Sequence, residues 1–143
     1  MKRAVVLVFI LVTAMVPLAA GAVGNLQELK QNYNQRASEI PGVVGFLIGH
    51  QKINIYVNAS QGGQTQQEVL AMELDGTNMT QIQREPFQNQ TVDVWTNMEA
   101  LRSVLQAQDQ RKEIKRQMEQ GNIDYQVYGF INKLKLAIVK LLI

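Results

Sequence analysis

The side chains of this chain that could carry out chemistry are few, and none stands in a motif that supports a reaction. The chain has no cysteine, which excludes thiol catalysis and thiolate zinc sites. His50 is the one histidine, and a single histidine cannot supply the ligands that zinc requires. The sequence has no serine in a nucleophile elbow and no glycine-rich loop followed by lysine. We therefore predict no catalytic residue, no metal and no cofactor, and we interpret His50 as an ordinary strand-edge or loop residue.

The charge pattern argues against nucleic acid as a partner. Lys2 and Arg3 account for the excess of fourteen basic over twelve acidic side chains, so residues 23–143 have no formal net charge. Neutralisation of phosphates by lysine and arginine supplies most of the affinity for nucleic acid. A neutral chain rich in asparagine and glutamine is therefore poorly suited to bind nucleic acid.

Residues 1–22 have the three parts of a secretory signal. A positive start at Lys2 and Arg3 precedes an apolar run over Ala4–Val16, and Ala20-Gly21-Ala22 then supplies small residues for cleavage. The run is shorter than the about 20 residues that a membrane-spanning helix needs. We expect cleavage after residue 22 and a secreted or cell-surface protein. The alternative is an uncleaved N-terminal anchor.

Three N-glycosylation sequons follow, at Asn58, Asn78 and Asn89. Each falls at a predicted turn or strand end, and a surface position is what the modification requires. In an exported chain each asparagine is therefore a candidate for a glycan, in a host that has an N-glycosylation pathway.

Period-two alternation of apolar residues predicts five strands. They cover Lys52–Val57, Glu68–Leu74, Met79–Arg84, Thr91–Thr96 and Ile123–Val127. Asp75-Gly76 predicts a hairpin turn, because glycine accepts a positive φ and aspartate tolerates one. Ala59–Gln64 is expected to be a polar loop. The short spacing of the first four strands predicts an antiparallel meander.

Apolar spacings of three and four residues predict helices around these strands. The first covers Asn25–Ser38, the second follows a cap at Asn97, a short third carries Ile114 and Met118, and the last lies within Phe130–Ile143. About 120 residues make one domain with a sizeable core. The expected class is α+β, with a five-stranded, mostly antiparallel sheet and helices packed on one face.

The order of these elements resembles the sterol carrier protein 2 (SCP2) family over residues 50–142. The resemblance is carried by short segments, namely Thr91–Trp95, Met98–Leu105, Gly121-Asn122-Ile123, Gly129, Lys133–Leu136 and Leu134–Leu142. It implies the family's fold, in which an apolar tunnel between the sheet and the C-terminal helix holds a lipid or acyl chain. The chain is then divided into a signal peptide (1–22), an N-terminal helix with a connecting segment (23–49) and an SCP2-like lipid-binding domain (50–143).

The resemblance supplies positions that line a pocket and no catalytic residue. The expected lining residues, which the periodicity also places inside, are Leu70, Met72, Leu101, Val104, Met118, Phe130, Leu134 and Ile138. The expected partner is a lipid or another apolar small molecule, with affinity supplied by apolar burial. The function that follows is that of an exported, non-enzymatic lipid-binding or carrier protein.

Two segments have more than one interpretation. The final helix packs on the sheet as core, closes a pocket as a lid, or lies on a membrane surface with its lysines toward the headgroups. Trp95 lies with Thr91 and Asp93 on the strand face opposite Val92 and Val94. It is either a rim residue covered by the N-terminal helix or an aromatic at a ligand entrance. The alternative function is a structural or protein-interaction module of the cell envelope with a fully packed core.

Overall fold

The computed structural model describes residues 26–38 and 49–129. Over these ranges the chain forms three helices and five strands. In chain order they are α1 (Leu26–Ala37), β1 (His50–Gln61), β2 (Gln64–Asp75), β3 (Asn78–Gln83), β4 (Val92–Asn97), α2 (Met98–Gln106), α3 (Gln110–Glu119) and β5 (Asp124–Val127). The signal segment 1–22 and the last helix expected within 130–143 lie outside the described residues.

The five strands form one mixed sheet in the order β3-β2-β1-β4-β5. The β1–β2, β2–β3 and β4–β5 pairs are antiparallel, whereas β1 and β4 are parallel. The α+β class and the mostly antiparallel five-stranded sheet are thus confirmed. The meander expected for the first four strands is wrong, because β4 does not pair with β3 but lies beside β1.

The β1–β2 hairpin is tighter than the sequence indicated. Its turn consists of Gly62 and Gly63, whose φ angles are 58° and 81°. Positive φ at both central positions is typical of a type I′ turn, which glycine adopts without a steric cost. The polar loop expected over Ala59–Gln64 is therefore wrong: each strand is twelve residues long and pairs along its whole length. The hairpin predicted at Asp75-Gly76 is confirmed, with a φ of 62° at Gly76.

The return from β3 to β4 is bonded to β1. Asn54 is fully buried; its Nδ2 donates to the Phe87 carbonyl at 2.9 Å, and its Oδ1 accepts from the Phe87 N–H at 2.8 Å. Just before β4, the Thr91 N–H donates to the Lys52 carbonyl at 2.8 Å, and the Thr91 hydroxyl donates to Gln51 Oε1 at 2.7 Å. Because these bonds end on β1, the chain enters β4 beside β1 rather than beside β3.

Helix α1 packs on β3, the edge strand. Its Leu29, Tyr33 and Ala37 are buried in the core. Asn34 Nδ2 donates to the Met79 carbonyl at 2.9 Å, and Asn34 Oδ1 accepts from the Met79 N–H at 2.7 Å. One side-chain amide therefore satisfies both backbone groups of a residue on an edge strand, where such groups lack a neighbouring strand.

Helices α2 and α3 begin at side-chain caps. The Asn97 Oδ1 accepts from the Ala100 N–H at 2.7 Å, which confirms the predicted cap of α2. The Asp109 Oδ1 accepts from the Lys112 N–H at 3.2 Å at the start of α3. Each cap satisfies an N–H group that has no partner within its helix.

Most of the buried apolar side chains of the sheet point to one side, which we call the core face. Its most buried members and their helical neighbours are Ile55, Val57, Leu70, Met72, Leu74, Met79 and Leu101. Buried residues of all three described helices join this cluster, so the helices pack on one face as predicted. The other side, which we call the open face, carries the even-numbered residues of β1 and their register partners, among them Asn54, Tyr56, Asp93 and Trp95.

Candidate functional site

An apolar strip, formed by Val92, Tyr125 and Val127, lies on the core face where β4 meets β5. Val92 opposes Val127, and Val94 opposes Tyr125. Val94 is 2 % exposed, whereas the three strip residues are only partly buried. The main helix–sheet contacts of the described part join α1 to β3 and α2 to β4 and β1. The strip is therefore less buried than the neighbouring apolar residues of β1 and β4.

Four of the residues predicted to line a pocket lie together in the core. Leu70 and Met72 come from β2, and Leu101 and Val104 come from α2; none is more than 3 % exposed, and all four belong to one buried cluster. Phe130, Leu134 and Ile138, which were predicted with them, lie outside the described residues. The structure thus brings four of the predicted residues into one apolar layer between α2 and the sheet.

Met118 does not join this layer. It lies on α3 with 37 % of its surface exposed, whereas Ile114 and Gln117 of the same helix are buried. The inward side of α3 is centred between these two residues, and Met118 follows Gln117 by about 100° around the helix. The spacing from Ile114 to Met118 suggested a shared apolar side, but burial of the Gln117 amide turns that side away from Met118.

A polar cleft of about 190 Å³ opens between α2 and α3. It is lined by Asn97, Glu99, Ala100, Ser103, Arg116, Gln117, Gln120 and Asn122. The Gln117 Nε2 donates to Glu113 Oε1 at 2.7 Å, and its Oε1 accepts from Asn122 Nδ2 at 2.7 Å. The bond to Asn122 holds the segment that leads into β5 against the end of α3. Sequence analysis missed this cleft, since Gln117 looks like any glutamine of a glutamine-rich surface.

Glu113 and Arg116 form an ion pair on α3. Arg116 Nη2 donates to Glu113 Oε1, and Arg116 Nε donates to Glu113 Oε2 at 3.0 Å. The hydrogen bond from Arg116 lowers the pKa of Glu113 from 4.5 to about 2, and the bond to the carboxylate raises the pKa of Arg116. Since the carboxyl pKa is depressed, the contribution of the pair to stability is present above the ordinary value and is lost as the pH falls toward 2. Both groups stay charged near neutral pH, which suits an ion pair and not a proton-transfer site.

Asp93 is a buried carboxylate on the open face, with an exposure of 3 %. Its Oδ2 accepts from the Tyr128 hydroxyl at 2.7 Å and from Gln90 Nε2 at 3.0 Å, while Oδ1 has no hydrogen-bond partner within the described ranges. The bonds attach the β3–β4 return and the end of β5 to the same carboxylate. Sequence analysis placed Asp93 beside Trp95 but missed this cluster, because Tyr128 lies 35 residues away and no local pattern joins the two.

Replacing Tyr128 with phenylalanine is expected to lower the melting temperature at neutral pH but not in strongly alkaline solution. Donation to the Asp93 carboxylate raises the pKa of Tyr128 above 10.0. Because the folded-state pKa is raised, the stabilisation is fully present below the unfolded-state pKa and is lost as the pH rises through the folded-state value. Melting curves of the wild type and Tyr128→Phe across this range measure the difference. A gap that stays constant up to strongly alkaline pH would contradict the bond.

Trp95 stacks on Tyr56 on the open face. The two residues are register partners in the parallel β1–β4 pair, with ring centroids 5.9 Å apart and planes inclined by 12°. Both are partly buried. Trp95 is not covered by the N-terminal helix as one interpretation had it, because α1 packs through Leu29 and Tyr33 on the core face. Its role at a ligand entrance stays a prediction.

His50 and the acidic residues near it form a pair rather than a metal site. His50 begins β1, as the sequence indicated, with its side chain 58 % exposed and its Nε2 at 2.8 Å from Glu73 Oε1. Within residues 26–38 and 49–129, no three histidine, aspartate or glutamate side chains come together in a group that could hold a metal ion. The helices of the same ranges include none long and apolar enough to cross a membrane.

The three sequon asparagines are all at the surface. Asn58 lies in β1, Asn78 is the first residue of β3, and Asn89 lies in the return before β4; each is exposed. The surface condition for modification is thus met at each, and attachment of a glycan stays a prediction.

Comparisons with known proteins give structural similarity without relatives in sequence. No family model matches the chain, and no curated protein matches it. The chain is similar to the crystal structure of sterol carrier protein 2 like 2 from Aedes aegypti, with 13 % identity and a TM-score of 0.42 over 80 % of this chain and 94 % of that one. It is also similar to the solution structure of palmitated SCP2L2 from Aedes aegypti, with 15 % identity and a TM-score of 0.43 over 76 % and 87 %. Scores this low carry no argument about family or ligand, and the α+β class rests on the sheet itself.

Proposed function

We propose that this chain is an exported, non-enzymatic protein that binds a lipid or a similar apolar molecule against the apolar strip. The strip of Val92, Tyr125 and Val127 is the observation that carries the proposal. Val92 and Tyr125 pack against the buried core cluster, yet all three side chains of the strip are only partly buried. Apolar surface that is neither packed nor fully exposed is a suitable wall for an apolar guest.

The position of the strip in the chain suggests what completes the site. β5 ends at Val127, so only residues 128 and 129 separate the strip from residues 130–143. Their sequence has the wide apolar side of an amphipathic helix, with Leu134, Ile138 and Leu142 at helical spacing. We propose that this segment forms the second wall and that the guest lies between it and the strip. The resemblance of residues 50–142 to the SCP2 family supports the same assignment from the sequence.

The binding chemistry follows from the residue types of the strip. Two valines and a tyrosine ring offer apolar contact, which stabilises a bound hydrocarbon by about 25 cal/mol per Å² of surface removed from water. We propose no catalytic step, because the sequence contains no motif that would support one.

A carboxylate placed in the strip is expected to abolish binding. Val127→Asp puts a charge where hydrocarbon would lie, and burial of an unpaired charge is costly. Gln126→Lys is the control for an added charge, since the neighbouring residue of the same strand points to the open face, is exposed and opposes Asp93, whose carboxylate is compatible with a nearby cation. The wild type and both variants are exposed to a lipid extract, repurified and examined by native mass spectrometry for bound mass. We expect adducts on the wild type and on Gln126→Lys, and none on Val127→Asp.

Circular dichroism of the same samples separates loss of binding from loss of folding, and Val127→Ser provides a milder change should the aspartate variant unfold. Equal adducts on all variants would show that the strip is not the site. Export is tested independently by the N-terminal sequence of the secreted protein, which we expect to begin at Val23.

A packed envelope module is the second candidate, and one observation favours it. The four described residues predicted to line a pocket are each no more than 3 % exposed, and they belong to a single contiguous cluster. A core of this kind holds together without a guest. A wild type that takes up no lipid from a broad extract would support this candidate over the first.

A further inference from the structure

We propose that an N-linked sugar on Asn58 packs against the rings of Tyr56 and Trp95, so that the glycan covers this part of the open face. The inference rests on the proposed function only for export, since attachment requires entry into a secretory pathway. Asn58 follows Tyr56 by two residues in β1, and residues two apart in a strand point to the same side. In the register of β1 with β4, the position of Asn58 lies two residues beyond the Tyr56–Trp95 pair.

The Asn58 amide is free to carry a sugar in the folded state. Its side chain is exposed, and its Oδ1 accepts from Gln67 Nε2 at 3.2 Å. The Nδ2 atom, to which the sugar would be attached, makes no hydrogen bond among those of the described ranges. Attachment therefore breaks no bond, while the contact with Gln67 holds the amide group in one orientation.

The surface beside Asn58 has the chemistry that an N-acetylhexosamine fits. The stacked rings of Tyr56 and Trp95 offer apolar surface that is still partly exposed, and the C–H groups of a pyranose pack on such surface. Next to Asn58, the side chain of Gln67 is a neutral amide at the register position on β2. Amides both donate and accept hydrogen bonds, which suits sugar hydroxyls and an acetamido group.

The other two sequons lack this arrangement. Asn78 begins the edge strand β3, three strands away from β4 in the sheet. The Asn89 Oδ1 accepts from Lys52 Nζ at 3.4 Å, and the same ammonium lies over the Phe87 ring. Neither sequon lies beside the Tyr56–Trp95 pair, so both are removed in the test below.

The test uses Trp95, which is the one tryptophan of the chain and so reports on this surface alone. The full chain with Asn78→Gln and Asn89→Gln is produced in a eukaryotic secretory host, which leaves one sequon. Its partner adds Ser60→Ala, which removes the sequon but keeps the Asn58 side chain and its bond to Gln67. Intact mass gives occupancy, acrylamide quenching gives the access of solvent to Trp95, and melting curves give stability.

We expect sugar on Asn58 and a fall in quenching of Trp95 by about half, because a seated sugar shields one side of the indole. We also expect a melting temperature a few degrees higher than in the Ser60→Ala partner, and loss of that increment when Tyr56→Ala is introduced into both. An Asn58 that carries no sugar after secretion overturns the proposal. So does an occupied Asn58 that leaves both quenching and melting unchanged. Neither result bears on lipid adducts, which the variants of Val127 test separately.

Discussion

Replacing Leu101 with alanine is expected to lower the free energy of unfolding by about 3 to 5 kcal/mol, the largest effect among the substitutions considered for this chain. Leu101 is 1 % exposed and lies on the side of α2 that joins the buried cluster. Truncation removes apolar contact and leaves a cavity that the surrounding strands cannot close without losing their register. Urea unfolding at equilibrium measures the change.

The matched control is Arg102→Ala, at the next position of the same helix. Arg102 is exposed, and alanine is at least as good a helix former, so this variant is expected to unfold like the wild type. A loss below about 1 kcal/mol for Leu101→Ala would show that Leu101 faces open space rather than packed side chains. That outcome would move the proposed ligand site from the apolar strip to the space beneath α2.

Replacing Asn54 with alanine is expected to cost about 2 to 4 kcal/mol, although the substitution removes only a small polar group. Asn54 is fully buried and bonds both the N–H and the carbonyl of Phe87. Its loss leaves two backbone groups of the β3–β4 return without partners, and each unsatisfied buried group is costly. Amide hydrogen exchange is the direct measurement, with the Phe87 N–H expected to lose its protection first.

Asn58→Ala provides the comparison, because the same atoms are removed from the same strand and the same face. Asn58 is exposed and bonds to the side chain of Gln67, which water can replace. When both proteins are produced without glycans in a bacterial host, this variant is expected to unfold within about 0.5 kcal/mol of the wild type. Equal losses for Asn54→Ala and Asn58→Ala would mean that the return is held by something other than the Asn54 amide.

The two faces of the sheet suit different kinds of molecule. The core face is apolar and presents the strip of Val92, Tyr125 and Val127 at one edge, which favours hydrocarbon. The open face carries amides around the Tyr56–Trp95 pair, which favours a neutral sugar. Because side chains alternate along a strand, each β4 residue belongs to one face only, so Val92 and Asp93 can serve different partners. Substitutions on one face therefore leave the other as an unchanged reference.

Much of the secondary structure was predictable because its causes are local. Alternation of apolar residues, the Asn97 cap and the glycine turn at Asp75-Gly76 act over a few neighbouring residues, and each predicted element is found near its expected bounds in the described ranges. The Gly62-Gly63 turn shows the limit of such reasoning. Both residues lie within the loop predicted over Ala59–Gln64, yet the long pairing of β1 with β2 that shortens this loop to a two-residue turn depends on both strands at once.

The site was predictable only in part. Alternation placed Leu70 and Met72 inside, and helical spacing placed Leu101 and Val104 inside, because burial follows the period of each element. Met118 fitted the same spacing but lies at the surface, since the buried amide of Gln117 sets the orientation of α3. The spacing of apolar residues cannot predict that Gln117 is buried. Its hydrogen-bond partners come from the preceding turn of the helix and from the segment that follows it.

By itself, the sequence determined the class of the fold, the number of strands, the side of each strand that is apolar, and the absence of cysteine chemistry, because these follow from residue types and from spacings of two to four positions. Only the tertiary structure decided that β4 lies parallel to β1, that Asn54 holds Phe87 and that Asp93 holds Tyr128. These bonds join residues 33 and 35 positions apart. A polar side chain gains a distant partner only when folding removes both groups from water, so the choice among many exposed asparagines and aspartates is made by burial and not by sequence pattern.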